Sequence, residues 1–235
     1  MNLTFELFTR KYHEDCHELL SDAFTRREPP EPLGCHITYE SGAFQHLAEY
    51  YLRVAAKEGM STVCVDQDTG KAVGIVVTED LKVALEGNTE LSAFMETLQT
   101  KFGDVFARVF HAFEVVEKPF LESINLDTEG NVWHMWMLGV DKEYGKLGIG
   151  SSLIRENLKM ARDRGFAFAV ADCTSSFSSK AFQKQGFKLH TRLKYKDYEF
   201  PPKSGNFPMR EEYGEKPGFD SLDFMVNVLV DNKTG

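Results

Sequence analysis

The sequence of 235 residues carries 27 lysine and arginine side chains against 36 aspartate and glutamate side chains, so its formal net charge is −9. This acidic balance argues against general binding to nucleic acid, which requires a basic surface. Hydrophobic residues make up 42% of the sequence, enough to bury a sizeable core instead of remaining disordered. An anionic ligand is compatible with the negative charge, because backbone amides at the start of a helix can bind phosphate.

The cysteines and the apolar segments indicate the cellular setting. The four cysteines lie far apart in the sequence, and none forms the CxxC pair typical of metal or redox sites. The first residues lack the apolar run of a signal peptide, and no segment approaches the roughly 18 uninterrupted apolar residues of a membrane-spanning helix. We therefore expect reduced thiols and a cytoplasmic protein with neither membrane nor nucleic acid as a partner.

The N-terminal part of the chain alternates predicted strands and helices. Apolar residues first alternate with polar ones, as in a strand, and then recur at helical spacing until a proline-rich stretch ends the helix. Two short β-branched runs joined by a turn then predict an antiparallel hairpin. These elements are a strand at 3–8, a helix after 10 that ends before 29–32, a helix at 43–58, and hairpin strands at 61–65 and 72–77.

A long amphipathic segment follows the hairpin. Its apolar residues recur every three or four positions over 89–117, which predicts one long helix, or two broken near Gly103, ending before Pro119. Phenylalanines at this spacing are expected to be core residues first, and the spacing does not tell which of them line a binding site. They include Phe106, Phe110 and Phe113.

Residues 132–140 form a run that is apolar on both faces apart from His134. Such a run is typical of a central strand covered on both sides, and Gly139 within it indicates a bulge. No second ligand lies at a useful sequence spacing from His134, so we interpret it as a hydrogen-bonded core or pocket histidine. The sequence therefore predicts no metal site.

The C-terminal part continues the alternation of strands and helices. The central strand begins an order of strand, helix, strand and helix, and two further strands flank a loop rich in proline, glycine and charge. We find no linker between domains and expect a single domain over 1–235. The predicted elements are a helix around 153–161, a strand at 166–171, a helix at 178–185 closed by Gly186, and strands at 187–200 and 222–230.

A glycine-rich turn joins the central strand to the next helix. Gly148 and Gly150 remove Cβ atoms where a ligand would touch the backbone, leaving N–H groups at the positive end of the helix for phosphate. A tight turn without a ligand is the alternative interpretation. Two better-known signatures do not fit, because Gly150 is followed by Ser151 and Ser152 where a P-loop has Lys, and a dinucleotide fold needs a third glycine near Leu153.

The turn resembles the coenzyme A signature of the GNAT superfamily of N-acetyltransferases, in which Arg or Gln is followed by two residues, Gly, one residue, and Gly or Ala. Gly148 and Gly150 match this signature, whereas Gly145 stands where Arg or Gln is usual. Residues 182–187 (Phe-Gln-Lys-Gln-Gly-Phe) resemble the second motif of the superfamily. The resemblance implies acetyl-CoA as cosubstrate. The residues it implies in binding are Leu138, Gly139, Val140, Gly145, Lys146, Leu147, Gly148, Ile149, Gly150 and Ser151.

The same resemblance implies an α/β (α+β) fold. We expect a mixed, mostly antiparallel sheet that splays at its central parallel pair, the strands at 132–140 and 166–172, with helices on both faces. A helical insert at about 88–118 and a C-terminal loop at about 201–220 account for the remaining length.

Three further features resemble the insect arylalkylamine N-acetyltransferases. The stretch 173–178 is similar to a hydroxyl-rich segment near the thioester in those enzymes, which implies Thr174 and Ser178 as hydrogen-bond donors. Residues 27–29 resemble the Asp-Glu-Pro motif, which implies Glu28 as the base that deprotonates the amine. The third feature is the helical insert between the same two strands. Alternatives remain for both positions: Glu28 as a surface carboxylate beside a proline-rich turn, and Ser178 as a helix cap.

The function implied is acetyl transfer from acetyl-CoA to the primary amine of a small molecule, an arylalkylamine, by direct transfer in a ternary complex. A polyamine or other aliphatic amine is an alternative acceptor. A non-catalytic acyl-CoA-binding regulator is the other alternative, because Phe182 replaces a tyrosine that in many GNAT enzymes protonates the departing thiolate, and Gly145 departs from the signature. The sequence leaves monomer and homodimer both open.

Overall fold

The computed structural model describes residues 2–27, 39–86, 89–103, 105–124, 130–208 and 217–229. The strands are β1 (Leu3–Leu7), β2 (Thr62–Asp66), β3 (Lys71–Asp80), β4 (Val132–Val140), β5 (Phe168–Cys173), β6 (Lys188–Lys194) and β7 (Ser221–Val228). The helices are α1 (His13–Asp22), α2 (Ala43–Glu58), α3 (Leu81–Glu86), α4 (Thr89–Phe102), α5 (Val105–Leu121), α6 (Ile149–Asp163) and α7 (Ser176–Gln183).

All seven strands belong to one sheet with the order β1-β2-β3-β4-β5-β7-β6. Neighbouring strands are antiparallel except for β4 and β5, which are parallel. This parallel pair is joined only where Val132–His134 faces Phe168–Val170. The predicted mixed sheet with a splayed central parallel pair is confirmed.

Helices cover both faces of this sheet. Buried residues of α1, α2 and α5 form a core with one face, and those of α6 and α7 form a second core with the other. The described cysteines Cys16, Cys64 and Cys173 are buried and unpaired. In the part of the chain that the structure describes, no helix is both long and apolar enough to span a bilayer.

The irregularity of β4 lies earlier in the strand than the sequence predicts. The register with β3 shifts between Val77 and Thr78, which face Met137 and Met135, so Trp136 is the extra residue of a bulge. Bulges of this kind re-aim a side chain and are common beside functional sites. Here the bulge directs Trp136 toward the core formed with α1, α2 and α5.

The prediction of a bulge at Gly139 is therefore wrong. Gly139 pairs in regular register with Ile75 of β3. A Cβ atom on Gly139 would lie 2.6 Å from Cδ2 of Leu19, a separation that real Cβ atoms do not show. Glycine is needed here because α1 packs directly on the strand backbone.

The insert between β3 and β4 consists of separate helices. A break near Gly103 was one of the two arrangements predicted from the sequence. Gly103, with φ of 64°, stands between α4 and α5. The predicted end before Pro119 is wrong, because α5 runs through that proline. Phe120 explains the continuation: it is buried, and its ring lies against those of Phe168 and Phe224, so tertiary packing outweighs the lost hydrogen bond.

The last predicted strands differ mainly in length. The first, expected at 187–200, ends as β6 at Lys194 and is followed by a turn over Tyr195–Asp197. Tyr195 is fully buried, and its hydroxyl donates to the carbonyl of Thr174. A buried tyrosine that needs a partner takes the chain out of the sheet at this point. A single domain spanning 1–235 stays a prediction.

Candidate active site

The gap between β4 and β5 is the feature around which the site is built. The two strands pair through His134 and Val170 and then separate. Beyond this point β4 continues to Val140 beside β3, and β5 continues to Cys173 beside β7. The gap is closed at the His134 end and opens toward Val140 and Cys173.

The glycine-rich turn at the open end of the gap presents unpaired backbone amides. Gly148 precedes α6 with φ of 76°, and the first hydrogen bond of the helix runs from Ser152 N–H to the Gly148 carbonyl at 3.0 Å. The amides of residues 149–151 come before that bond and have no partner within the helix. Together with the positive helix end, they form a site suited to phosphate groups.

Two contacts hold this turn against the hairpin of β2 and β3. The Asp141 amide donates to the Val73 carbonyl at 2.9 Å. The Tyr144 hydroxyl donates to Oδ2 of buried Asp66 at 2.7 Å, and this bond lowers the pKa of the Asp66 carboxyl. The position of the turn is therefore set before any ligand binds.

The three positions of the turn that hold glycine differ in whether, and why, they require it. Gly148 has a left-handed backbone conformation and open space around it, so its requirement is conformational. A Cβ on Gly150 would make ordinary contacts at 3.7 Å to Val140 and 3.8 Å to Leu138, which leaves room for alanine. At Gly145, the position where the signature usually has Arg or Gln, a Cβ would lie 3.1 Å from the Lys142 carbonyl.

The other residues predicted to bind the cofactor lie at the end of β4 and in the turn before α6. Leu138 and Val140 pack partly buried against the core beneath α6, and Leu147 is exposed. Lys146 has φ of 66°, so its backbone turns in the left-handed region. The structure thus brings the residues predicted to bind acetyl-CoA together at the end of the gap next to α6.

Ser178 forms part of a helix cap. Ser175 is the N-cap residue of α7: its hydroxyl accepts from the Ser178 amide, and the Ser175 amide donates to the Ser178 hydroxyl at 3.3 Å. These two bonds form a capping box. Ser178 therefore has a capping role, as the alternative had it, but as the third helical residue and not as the N-cap. Thr174 lies directly before it, with its carbonyl accepting from Tyr195. A catalytic role for Thr174 and Ser178 stays a prediction.

Glu28 and the prolines that follow it lie outside the described residues. The role of Glu28 as a base therefore stays a prediction from the resemblance alone.

His134, at the closed end of the gap, lies between two carboxylates. Its Nδ1 is 3.0 Å from Oε1 of Glu79 on β3, and its Nε2 is 3.1 Å from Oδ2 of Asp172 on β5. Burial alone would lower the pKa of His134, but hydrogen bonds to the two carboxylates raise it to about 10. Both ring nitrogens donate at once only in the imidazolium, so His134 is charged at neutral pH.

A third acid, Glu117 of α5, completes this cluster. Glu117 is buried, and burial together with the charge of Asp172 raises its pKa to about 8. Ligand-type atoms of Glu117, His134 and Asp172 lie within 4.8 Å of one another. A hydrogen bond between the Glu117 and Asp172 carboxyls also raises the Glu117 pKa, and Oδ1 of Asp172 is buried without an N–H or hydroxyl donor. The cluster is thus suited to hold a proton or a cation. The absence of a metal here stays a prediction from the sequence.

Aromatic side chains pack next to this cluster, with the Trp136 ring 5.5 Å from that of His134 between centroids. The indole of Trp136 lies 5.2 Å from the ring of Phe113, 6.4 Å from Phe110 and 5.4 Å from Tyr51, measured between ring centroids. These four residues are only partly buried, whereas Phe106 is a core residue. Nε1 of Trp136 is buried without a hydrogen-bond partner. An apolar wall beside carboxylates is suited to an organic cation with a ring.

Sequence reasoning missed Glu79, Glu117 and Asp172. The predicted hairpin strand stopped at Val77, two residues short of Glu79, and Asp172 was only the last residue of the strand expected at 166–172, with no role for its side chain. A signal existed for Glu117, since an acid on the apolar face of an amphipathic helix needs a partner. That signal did not reveal which elements would supply the partner.

The fold and this site agree with a known family. The family model described as acetyltransferase (GNAT) family matches residues 13–187. The chain belongs to the GNAT family. It is thus an acyltransferase of the N-acetyltransferase type, and the family binds acetyl-CoA, for which the amides after Gly148 and the small residue at Gly150 are a fitting site.

Solved structures show the same fold at low sequence identity. The C-terminal condensation domain of Ebony in complex with beta-alanyl-dopamine has a TM-score of 0.76 at 14% identity, covering 97% of this chain and 99% of that one. Arylalkylamine N-acetyltransferase 2 from Aedes aegypti has a TM-score of 0.68 at 21% identity, covering 98% and 100%. Polyamine N-acetyltransferase from Drosophila melanogaster, an enzyme that catalyses the formation of N-acetylagmatine, also has a TM-score of 0.68 at 21% identity, covering 97% and 100%. Substrates of these proteins differ, so the likeness concerns the fold.

Proposed function

We propose that this GNAT protein transfers the acetyl group of acetyl-CoA to the primary amine of a small arylalkylamine by direct transfer in a ternary complex. The observation that carries the proposal is that the Trp136 ring and the Asp172 carboxylate both lie against His134, at the closed end of the gap between β4 and β5. An aromatic wall next to a buried acid matches the two parts of an arylalkylamine, its ring and its cationic amine.

The two substrates would approach the gap from opposite faces of the sheet. The amides of residues 149–151 would hold the pyrophosphate of acetyl-CoA on the α6 face, and the edge of β4 from Leu138 to Val140 would line the remainder of the cofactor. His134 and Trp136 belong to the face covered by α1, α2 and α5. A donor and an acceptor bound in this way would meet in the gap, which supports direct transfer without an enzyme-bound acetyl group.

A covalent route through Cys173 has little support. The thiol is buried, and burial raises its pKa well above the ordinary value. A thiolate is the nucleophilic form, so this cysteine is a poor acceptor for the acetyl group.

Comparison of acceptors tests the function directly. We expect CoA to bind in isothermal titration calorimetry, and acetyl-CoA to release thiol in the presence of 2-phenylethylamine faster than with putrescine, spermidine or agmatine. No CoA binding at millimolar ligand would overturn the donor assignment. CoA binding without thiol release for any amine would favour the non-catalytic regulator instead.

A matched pair of variants tests the aromatic wall. Phe113→Leu removes a ring that lies 5.2 Å from Trp136, and we expect the preference for 2-phenylethylamine over putrescine in kcat/KM to fall about tenfold. Phe106→Leu changes a core ring of the same helix and should leave that preference within about twofold. Equal preferences in the two variants would remove Phe113 from the acceptor site.

A polyamine acceptor is the second candidate. The carboxylates of Glu79 and Asp172 beside His134 and the net charge of −9 would attract a polycation. For any amine, Phe182 predicts slow turnover, because it supplies no hydroxyl to protonate the departing thiolate. Its ring is buried against that of Phe187, with the two centroids 4.9 Å apart. Faster thiol release with spermidine than with 2-phenylethylamine would establish the polyamine alternative.

A further inference from the structure

One face of α5 connects the aromatic wall to the acidic cluster. Phe110, Phe113 and Glu117 are spaced by three and four residues, so their side chains lie on the same face of the helix. Both rings lie against Trp136, and the Glu117 carboxyl reaches Asp172 and His134. The acid thus stands at the end of the surface along which an aromatic amine would lie.

The charges of the cluster leave one position for a cation. The His134 imidazolium faces the carboxylates of Glu79 and Asp172, and each of them uses one oxygen for it. The second oxygen of Asp172, Oδ1, accepts from no N–H or hydroxyl group of the described residues, and the Asp172 side chain is only 1% exposed. A buried carboxylate oxygen needs a donor. The protonated Glu117 carboxyl, which hydrogen bonds with Asp172, meets that need in the free protein, and an ammonium group would take its place when the acceptor binds.

We propose that the acceptor's ammonium group binds between Glu117 and Asp172, displaces the proton of Glu117 to solvent on binding, and then returns one of its own protons to Glu117 to become the nucleophile. The inference rests on the proposed function. It assigns the first proton transfer to Glu117, in place of the Glu28 base that the resemblance implies.

The protons of this sequence balance. A free amine with a pKa near that of lysine is an ammonium ion at neutral pH, and Glu117 is protonated there because its pKa is raised to about 8. Binding the ammonium against an ionised Glu117 releases one proton. Transfer of an ammonium proton to Glu117 then leaves the neutral amine, which forms the C–N bond. As the C–S bond breaks, the nitrogen loses its second proton and the departing thiolate gains one, so the products are the amide, CoA thiol and the proton released at the start.

Other charged groups near the pair keep this exchange local. His134 on β4, Glu79 on β3 and the Tyr51 phenol on α2 face Glu117 and Asp172. Burial raises the pKa of Tyr51 well above its ordinary value, so it stays neutral. On β7 and β6, the strands packed against α5, Asp223 is paired with Arg192. Glu117 is therefore the group among these whose proton an incoming ammonium displaces most easily.

Calorimetry measures the exchange without any turnover. The protein is saturated with CoA, which has no acetyl group, and titrated with 2-phenylethylamine in buffers of different ionisation enthalpy. We expect close to one proton released per amine bound at pH 7, and close to none at pH 9, where Glu117 is already ionised. Glu117→Gln should abolish the release at pH 7 while CoA binding stays within about twofold, which also shows that the variant is folded.

Glu58→Gln is the matched control. Burial, with Glu79 and Asp80 nearby, raises the pKa of the Glu58 carboxyl to about 7, and its Oε2 is buried without a partner. Its carboxyl takes no part in the His134 cluster, so this variant should release the proton as the wild type does. Equal loss in Glu58→Gln and Glu117→Gln would overturn the assignment to Glu117.

The other outcomes separate the inference from the function. A wild type that acetylates 2-phenylethylamine but releases no proton on binding it would overturn the inference and leave the function intact. A wild type that binds and acetylates no amine would overturn both. Proton release or amine binding that is lost after chelator treatment and restored by Zn²⁺ would instead assign Glu117, His134 and Asp172 to a metal ion.

Discussion

The two sides of the gap between β4 and β5 are built from different parts of the chain. The donor side is one continuous stretch of sequence, from Leu138 to Ser151, and it offers backbone amides held by a turn. The acceptor side brings single side chains from α2, β3, α5, β4 and β5 to one place. A site made of consecutive backbone can be found from its glycines, whereas a site made of converging side chains depends on how the elements pack.

The two sides also differ in how they use charge. In our proposal, the donor side binds phosphate through the dipoles of the first amides of α6 and needs no charged side chain. The acceptor side concentrates ionisable groups in a buried place, where burial raises the pKa of Glu117 and two carboxylates raise that of His134. Substitutions on the donor side should therefore alter CoA affinity, and those on the acceptor side should alter pH dependence.

The largest effect is expected for Asp172→Asn. The substitution removes a carboxylate that pairs with the His134 imidazolium and, in our proposal, binds the acceptor's amine. We expect kcat/KM to fall about 100-fold or more and the free energy of unfolding to fall by roughly 3 kcal/mol, with CoA affinity unchanged. Asp66→Asn, in a buried aspartate of the donor side that accepts from Tyr144, should instead weaken CoA binding. The reverse pattern would contradict the division between the two sides.

The pH dependence of stability should show the Glu117 proton. In the folded protein the Glu117 pKa is raised from 4.5 to about 8, so the folded state holds a proton that the unfolded chain has lost between these pH values. Stability must then fall as the pH rises through this window. Urea unfolding at pH 5 and at pH 8 should show a fall about 3 to 4 kcal/mol greater in wild type than in Glu117→Gln. Parallel curves for the two proteins would mean that Glu117 is not protonated in the fold.

Gly148→Val tests the donor turn. At φ of 76° a side chain costs about 1–2 kcal/mol, so the CoA dissociation constant should rise about tenfold. Gly150→Ala, whose Cβ would make only ordinary contacts, should leave it within about twofold. Equal losses of CoA affinity in the two variants would show that both glycines are needed for close approach of the ligand. The left-handed conformation of Gly148 would then not be the reason for its requirement.

The smallest effect is expected for Gly145→Gln, which restores a residue usual at this position of the signature. One added hydrogen bond to the pyrophosphate should tighten CoA binding about threefold, since φ of −59° is allowed for glutamine. The Lys142 carbonyl, 3.1 Å from the new Cβ, must shift by a few tenths of an ångström. Weaker binding than in wild type would mean that this shift disturbs the turn.

Sequence patterns predicted most of the elements, but with errors at particular residues. Helix α2 and strand β4 have the predicted bounds, because their periodicity and turn residues agree. Pro119 did not end α5, and Gly139 did not form a bulge, because both outcomes depend on partners from other elements: Phe168 and Phe224 in the first case and Leu19 in the second.

By itself the sequence determined the order of the strands and of most helices, the splayed sheet through its resemblance to a family, and the glycine-rich turn around Gly148. These follow from local periodicity and from backbone conformations that only glycine adopts readily. Only the tertiary structure decided that Trp136 is the bulged residue and that Glu79, Glu117 and Asp172 surround His134. Those residues are separated by up to 93 positions in the chain, and the burial that shifts their pKa values exists only after the elements pack.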